Sequence, residues 1–367
     1  MKIPSRLALV LSAATAMVAV SAVPAQAAAH RTFWVHPGTG TISAAVARAH
    51  AGDTIRLVRG TYYDSVFIPF RLTITGAGWA NTVIKPPATS SSPCNMGSME
   101  GLCAAGAFDR HGNPDLSKPV VGVNISDLRV TGFSDSGVLG FNTRGLRVEE
   151  VRADHNGGYG IARFVSTRSV FEENWTSYNR EAGLYMGDSP HADSVLRANW
   201  ADHNGFGLFL RDSTDITAVG NLAWDNCIGI FALNTGGHGA PGDLPAGDYR
   251  IANNKVWDND KECPAGGEQP VPLSGIGIGL FGVHDTWVAG NEVRVNHPGG
   301  PSAVAGGVVM VSFAGAHPMN NTIHGNEVEH NRPADIVWDR TGSGNRVTGN
   351  ECNLAIPGNR GWCTDID

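Results

Sequence analysis

YMGDSPHAD, residues 185–193, puts a tyrosine, an aspartate and a histidine in one short stretch. Tyr185 and His191 can each give or take a proton at a reacting centre, and Asp188 adds a carboxylate between them. An arginine can grip a carboxylate through two parallel N–H donors. Arg163 and Arg211 lie in neighbouring stretches of similar composition and are the candidates for that grip. Acid–base groups beside a guanidinium suit proton transfer next to a carboxylate.

Other sets are thinner. Asp258-Asn259-Asp260 offers oxygen ligands that suit calcium, but fewer than a dedicated loop supplies, and it reads as a solvated turn. Gly237-His238-Gly239 reads as loop composition. His155, His203 and His330 each precede an asparagine of the repeat described below and read as turn residues. Six cysteines in an exported chain suggest disulfides, and six allow fifteen pairings. Proximity favours Cys94–Cys103 and Cys352–Cys363, which leaves Cys227–Cys263. No C-x-x-C pair or close Cys/His cluster supports a metal instead.

The element that must hold the 185–193 stretch is a repeat. Its ruler is Asp or Asn, then Asn at +6 and Asn at +11. Asp193/Asn199/Asn204, Asp215/Asn221/Asn226, Asp248/Asn254/Asn259, Asp285/Asn291/Asn296 and Asn320/Asn326/Asn331 all fit. Asn174 and Asn179 keep the last two marks, and Asn345 and Asn350 keep a shifted version. A short apolar-glycine strand usually follows: GIAR at 160–163, GLYM at 183–186, GLFL at 207–210, GIFA at 229–232. Neighbouring copies lie 22 to 25 residues apart where no insertion intervenes. A period this short, without helical patterning, predicts an all-β solenoid of about ten coils. Stacked coils bring like positions above one another, so the asparagines are predicted to form hydrogen-bonded piles at turns. If Leu184 and Met186 point inward, Tyr185 points out. Phe209 and Phe231 then match it in the next two coils, and Ala162 in the coil before. Such a row is either a platform for sugar rings or a patch packed under loops. Long segments at 86–119, 235–247, 260–274 and 297–305 are candidate walls or covers. Trp175, Trp200, Trp224 and Trp257 fall at repeat positions and read as packing residues.

Residues 1–27 have the pattern of a secretory signal: Lys2 and Arg6, the apolar LALVLSAATAMVAV, then Ala25-Gln26-Ala27. The expectation is an exported chain, cut near Ala27, with a β-helix domain over 28–367 and no membrane span. Removing the leader takes the formal charge from −7 to about −9, which argues against a nucleic-acid partner.

Residues 41–85, TISAAVARAHAGDTIRLVRGTYYDSVFIPFRLTITGAGWANTVIKP, resemble the opening of right-handed parallel β-helix proteins of the pectin-lyase-like superfamily. The resemblance implies a short capping helix, about 41–51, with Ile42, Ala45, Val46 and Ala49 against the first coil. That architecture hosts lyases, hydrolases, esterases, epimerases and non-enzymatic proteins. The chain lacks an Asp-Asp dipeptide and has RIA at 250–252, unlike polygalacturonase-like hydrolases. YMGDSPHAD is similar to the Tyr-Gly-Phe-Asp-Pro-His signature of mannuronan C5-epimerases and related alginate lyases, with Ser189 inserted. Carried over, Tyr185, Asp188 and His191 match the signature, and Arg163 stands in for a basic residue on an earlier coil. The implied chemistry removes the C5 proton of a uronate; returning it on the other face epimerises, and expelling the 4-oxygen cleaves. Phe209, Arg211 and Phe231 would then contact a polysaccharide, with calcium as the candidate cofactor. The rival expectation is a non-catalytic β-helix that binds glycan or a surface partner. A third resemblance, to periplasmic repeat proteins that assist metal-centre assembly, meets sparse Cys, Met and His clustering.

Overall fold

In a computed structural model that describes residues 30–95, 97–107, 115–236, 246–266, 269–358 and 361–364, almost every ordered segment is a short β-strand. The 1–27 leader and the Gly237-His238-Gly239 stretch lie outside the described residues. Three strands make one coil. Face A holds strands such as Val170–Glu172 and Ser194–Arg197, face B Trp175–Ser177 and Trp200–Asp202, and face C Ile161–Phe164 and Ala182–Ser189. Each strand pairs in parallel with its counterpart one coil on: Val170 with Val195, Trp175 with Trp200, Ala162 with Tyr185. Face B is a 12-stranded sheet. It exceeds the predicted ten coils because strands at the two ends, such as Gly60–Tyr63 and Cys363–Thr364, carry no asparagine marks. Faces A and C join into one sheet through Phe206–Val219, a strand of 14 residues that runs round their shared corner.

Alternation decides what fills the tube. Leu184, Met186, Leu208, Leu210, Ile230 and Ala232 point inward from face C and meet Ile251, Val256 and their kin from faces A and B. The core is thus a stack of aliphatic layers.

The asparagines form two piles. At the corner between faces A and B, Asn174, Asn199, Asn221, Asn254, Asn291, Asn326 and Asn350 each donate a side-chain N–H to the next Oδ1, at 2.9 to 3.0 Å. Between faces B and C the pile runs Asn156, Asn179, Asn204, Asn226, Asn259, Asn296, Asn331. Each Oδ1 also accepts the backbone N–H of the preceding asparagine, as Asn254 does from Asn221 at 2.9 Å. The unusual backbone angles fall one residue earlier than the sequence suggests. His155, Tyr178 and His203 take positive φ at the second corner, while the asparagines that follow them do not. A left-handed residue turns the chain, and the buried amide then satisfies the polar groups that the turn exposes.

The N-terminal end is closed as expected. Helix α1, Thr41–Val46, buries Ile42, Ala45 and Val46 on the first coil. Its free N–H groups at Ile42 and Ser43 donate to Asp64 Oδ2, both at 2.9 Å. All three disulfides join the pairs favoured by proximity: Cys94–Cys103, Cys227–Cys263 and Cys352–Cys363. No helix among the described residues is long and apolar enough to cross a membrane.

Candidate functional site

The outer surface of face C carries the 185–193 stretch. Tyr185 projects outward in a column with Ala162, Phe209 and Phe231, as the alternation requires. The column is not an open platform. Phe209 and Phe231 are 7% and 3% exposed and stack on each other at 5.1 Å. Leu273, Val271 and Cys263 of one insertion and Val304 of another pack into the same cluster. The Cys227–Cys263 bond ties the first insertion to the edge of face C. The two phenylalanines expected to meet a sugar therefore act as packing for the covering loops.

Tyr185 is fully buried, with its ring against Tyr159 at 4.7 Å, Phe164 at 4.6 Å and Phe209 at 5.3 Å. The phenol lies back over its own strand. A Cβ at Gly187 would sit 2.0 Å from the hydroxyl, so only glycine leaves room there. The hydroxyl has no hydrogen-bond partner among the described residues. Burial, then the charge of Asp188, pushes the phenol well above the usual tyrosine range; Asp212 adds to this, and Arg211 and Arg163 oppose it. Tyr185 is consequently a proton donor at neutral pH. Arg211, in register with Gly187, projects outward beside the phenol and pairs with Asp212 at 3.2 Å. Asp212 also accepts from the backbone N–H and hydroxyl of Thr235 at 2.7 and 2.5 Å. Asp188 and Asp212 occupy the corner after face C in consecutive coils, both at positive φ.

Two expected members do not join this group. Arg163 pairs with Met186 and points into the core, where it is completely buried. Its Nη1 donates to Ser166 O at 3.1 Å, Gly187 O at 3.3 Å and Ser189 Oγ at 2.5 Å. Its Nε and Nη2 have no partner among the described residues, and burial lowers its pKa to about 10. It braces the corner that carries Asp188 from inside and cannot reach a sugar. His191 lies beyond the corner, with its side chain 91% exposed and Nδ1 3.2 Å from Asp215. The two additional residues of this coil carry it away from Tyr185. The sequence reading had not assigned Asp212 or Tyr159. Asp212 was visible as the echo of Asp188-Ser189 in Asp212-Ser213, and only the folding of the phenol over Gly187 gives that echo a chemical meaning.

As for metals, Asn259 is fixed in the amide pile, which withdraws the Asp258-Asn259-Asp260 set. Three donor side chains do meet at the corner between faces C and A. Ligand atoms of Asp248, His284 and Asp285 lie within 4.8 Å of one another. Two carboxylates and an imidazole fall short of the six to eight oxygens that calcium takes.

The sequence matches the family model described as right handed beta helix region over residues 136–352. No curated protein matches it. Among solved structures, it is similar to the A-module of mannuronan C-5 epimerase AlgE4 from Azotobacter vinelandii, at 20% identity and a TM-score of 0.54 over 85% of this chain and 86% of that one. An alginate lyase from Paenibacillus sp. aligns at 14% identity and a TM-score of 0.52, over 87% of this chain and 99% of the lyase. The Dettilon tailspike protein aligns at 16% identity and 0.54, over 86% of this chain and 63% of its own. At such identities the likeness is one of fold. With more than half its length under the family model and its coils stacked as described, the chain belongs to the right-handed parallel β-helix family.

Proposed function

We propose that this is an exported protein acting on a uronate-containing polysaccharide, with its chemistry at Tyr185. The observation that carries the reading is the cluster on the outside of face C. A protonated phenol, the carboxylates of Asp188 and Asp212 and the Arg211 guanidinium share one low-dielectric patch. Arg211 would neutralise the uronate carboxylate, which acidifies the neighbouring C5–H. A carboxylate of the pair would take that proton, and Tyr185 would supply one. Donation to C5 from the opposite face gives the epimer. Donation to the departing 4-oxygen, as the C4–O bond breaks, gives an unsaturated sugar. The likeness to a mannuronan epimerase and an alginate lyase supports the choice of uronate.

The test is a panel of alginate and polygalacturonate, with and without calcium. Ultraviolet absorbance would report the unsaturated product, and NMR would report exchange of the C5 proton. Either signal, abolished in Tyr185→Phe and in Arg211→Ala, is the expected result. Silence in both channels across the panel sinks the catalytic reading. One observation favours the second reading, a glycan-binding protein without catalysis: Tyr185 has no exposed surface, and His191 faces away from it.

A further inference from the structure

Face B carries a surface that the chemistry on face C does not use. Its inward positions are small or aliphatic: Ala153, Thr176, Ala201 and Ala223, all fully buried. Its outward positions include Arg152, Trp175 and Trp200, in register from coil to coil. Trp79 joins the row at 6.0 Å from Trp175, and Trp200 follows at 5.9 Å. The Arg152 guanidinium lies 4.1 Å from the centre of the Trp175 ring. These tryptophans were expected to be packing residues, but Trp79 and Trp200 are 42% and 48% exposed. The long insertions all leave the chain beside face C, so none lies across face B.

At the adjoining corner, His155, Tyr178 and His203 stack with ring centres 4.9 and 4.5 Å apart. Each histidine is oriented from behind. Asp154 holds His155 Nδ1 and Asp202 holds His203 Nδ1, both at 2.8 Å, which turns the Nε2 edges outward. These edges and the half-exposed Tyr178 ring border a cleft of about 450 Å³. Two cations close it. Lys261 is anchored on the carbonyls of His203 and Asn204 at 3.1 and 2.9 Å. Arg180 is exposed and has no ion-pair partner among the described residues. The carboxylates beneath, Asp154 and Asp202, are buried and already engaged, the first by both arms of Arg129. Farther along the corner the column turns acidic at Asp225 and Asp258, which bounds the cationic part.

We infer that the cleft and the tryptophan row together form a second glycan-binding surface, for an acidic polysaccharide chain. Aromatic faces suit the C–H faces of sugar rings, and ring N–H and O–H edges suit their hydroxyls. A free arginine beside a lysine, on a chain of net charge −7, selects carboxylates locally. The surface would hold the polymer while another stretch of it reaches face C. The binding claim itself does not depend on catalysis there.

The experiment titrates intact protein with alginate and polygalacturonate oligosaccharides, using a neutral β-glucan oligosaccharide as control. Tryptophan fluorescence and calorimetry are the readouts. The host is Tyr185→Phe, so that the probe is not consumed. Trp200→Ala and Tyr178→Ala should each weaken the acidic probe about tenfold, as loss of a central aromatic contact does. Arg180→Gln, an exposed change that touches no packing, should weaken it comparably and leave the neutral probe unaffected. Restoring Tyr185 should not change affinity. The proposal fails if the acidic probes do not bind, if all three variants bind within twofold of the host, or if the neutral glucan binds as tightly. It also fails if Trp200→Ala only converts a dimer to a monomer, since the face would then be a self-contact.

Discussion

Asn254 sits in the middle of an amide pile, and its replacement by alanine measures what one rung contributes. Its Oδ1 accepts from both the backbone N–H and the side-chain N–H of Asn221, each at 2.9 Å. Its side-chain amide donates to Ala218 O at 3.0 Å and Asn291 Oδ1 at 2.9 Å. All three asparagines are buried. Asn291 Oδ1 keeps the backbone N–H of Asn254, so the damage falls on the donors of Asn221. Two donors lose their acceptor in a dry corner. At about 1–3 kcal/mol each, Asn254→Ala should cost about 2–6 kcal/mol. In a stacked-coil protein the loss stays near its origin, so hydrogen exchange should accelerate first in the coils around residues 221, 254 and 291. Urea denaturation gives the total, and exchange read by mass spectrometry gives the place. Asn320→Gly is the control: Asn320 is exposed at positive φ, where glycine is at ease, so the change should stay within about 0.5 kcal/mol. A cost for Asn254→Ala below about 1 kcal/mol, with unaltered exchange at Asn221, would refute the ladder argument.

Gly187→Ala places a methyl group where the Tyr185 hydroxyl lies; it should cut any activity as deeply as Tyr185→Phe while the melting temperature falls only modestly. Arg163→Met keeps most of the volume and removes a buried charge without a carboxylate partner, so the melting temperature should rise, whereas Arg163→Ala should lower it by opening a cavity. Glu100 is buried, and desolvation, followed by the charge of Asp135, raises its carboxyl to about 8 from 4.5. Between those values the folded chain holds the extra proton, so stability should fall as pH rises from about 4.5 to 8. Glu100→Gln should flatten that slope in a series of denaturant titrations.

The fold was legible because its largest structural demand is written in one residue type. Buried corners need an amide on every coil, and asparagine at +6 and +11 records that need directly. The site was less legible because it depends on side-chain direction and on loops. Pairing Ala162 with Tyr185 already implies that Arg163 points the other way, since alternate residues leave opposite faces of a strand. A match to a remembered motif outweighed that parity. His191 was misplaced for a different reason: the residues added to its coil bulge away from face C, and nothing in their identity gives the bulge a direction. The fate of Phe209 and Phe231 was set by Leu273 and Val304, more than 40 residues farther along the chain than Phe231. Trp175 and Trp200 keep the repeat spacing, but spacing alone does not separate the inside of a tube from its outside.

The amide piles all point one way. Every side-chain N–H donates toward the C-terminal end, so the small dipoles add along the rod instead of cancelling, much as peptide dipoles add along an α-helix. The rod thereby acquires a positive pole at its C-terminal end. The second pile ends on a charge of the matching sign: Asn331 donates its backbone and side-chain N–H to Asp335 Oδ1, at 3.0 and 3.2 Å. The same buried carboxylate takes the N–H groups of Asn353 and Leu354 on its other oxygen. Asp335 thus does for a column of side chains what an acidic cap does for a helix. It also makes the solenoid directional as an assembly: a coil added at that pole would have to displace a carboxylate, and would have to bring another to end the column.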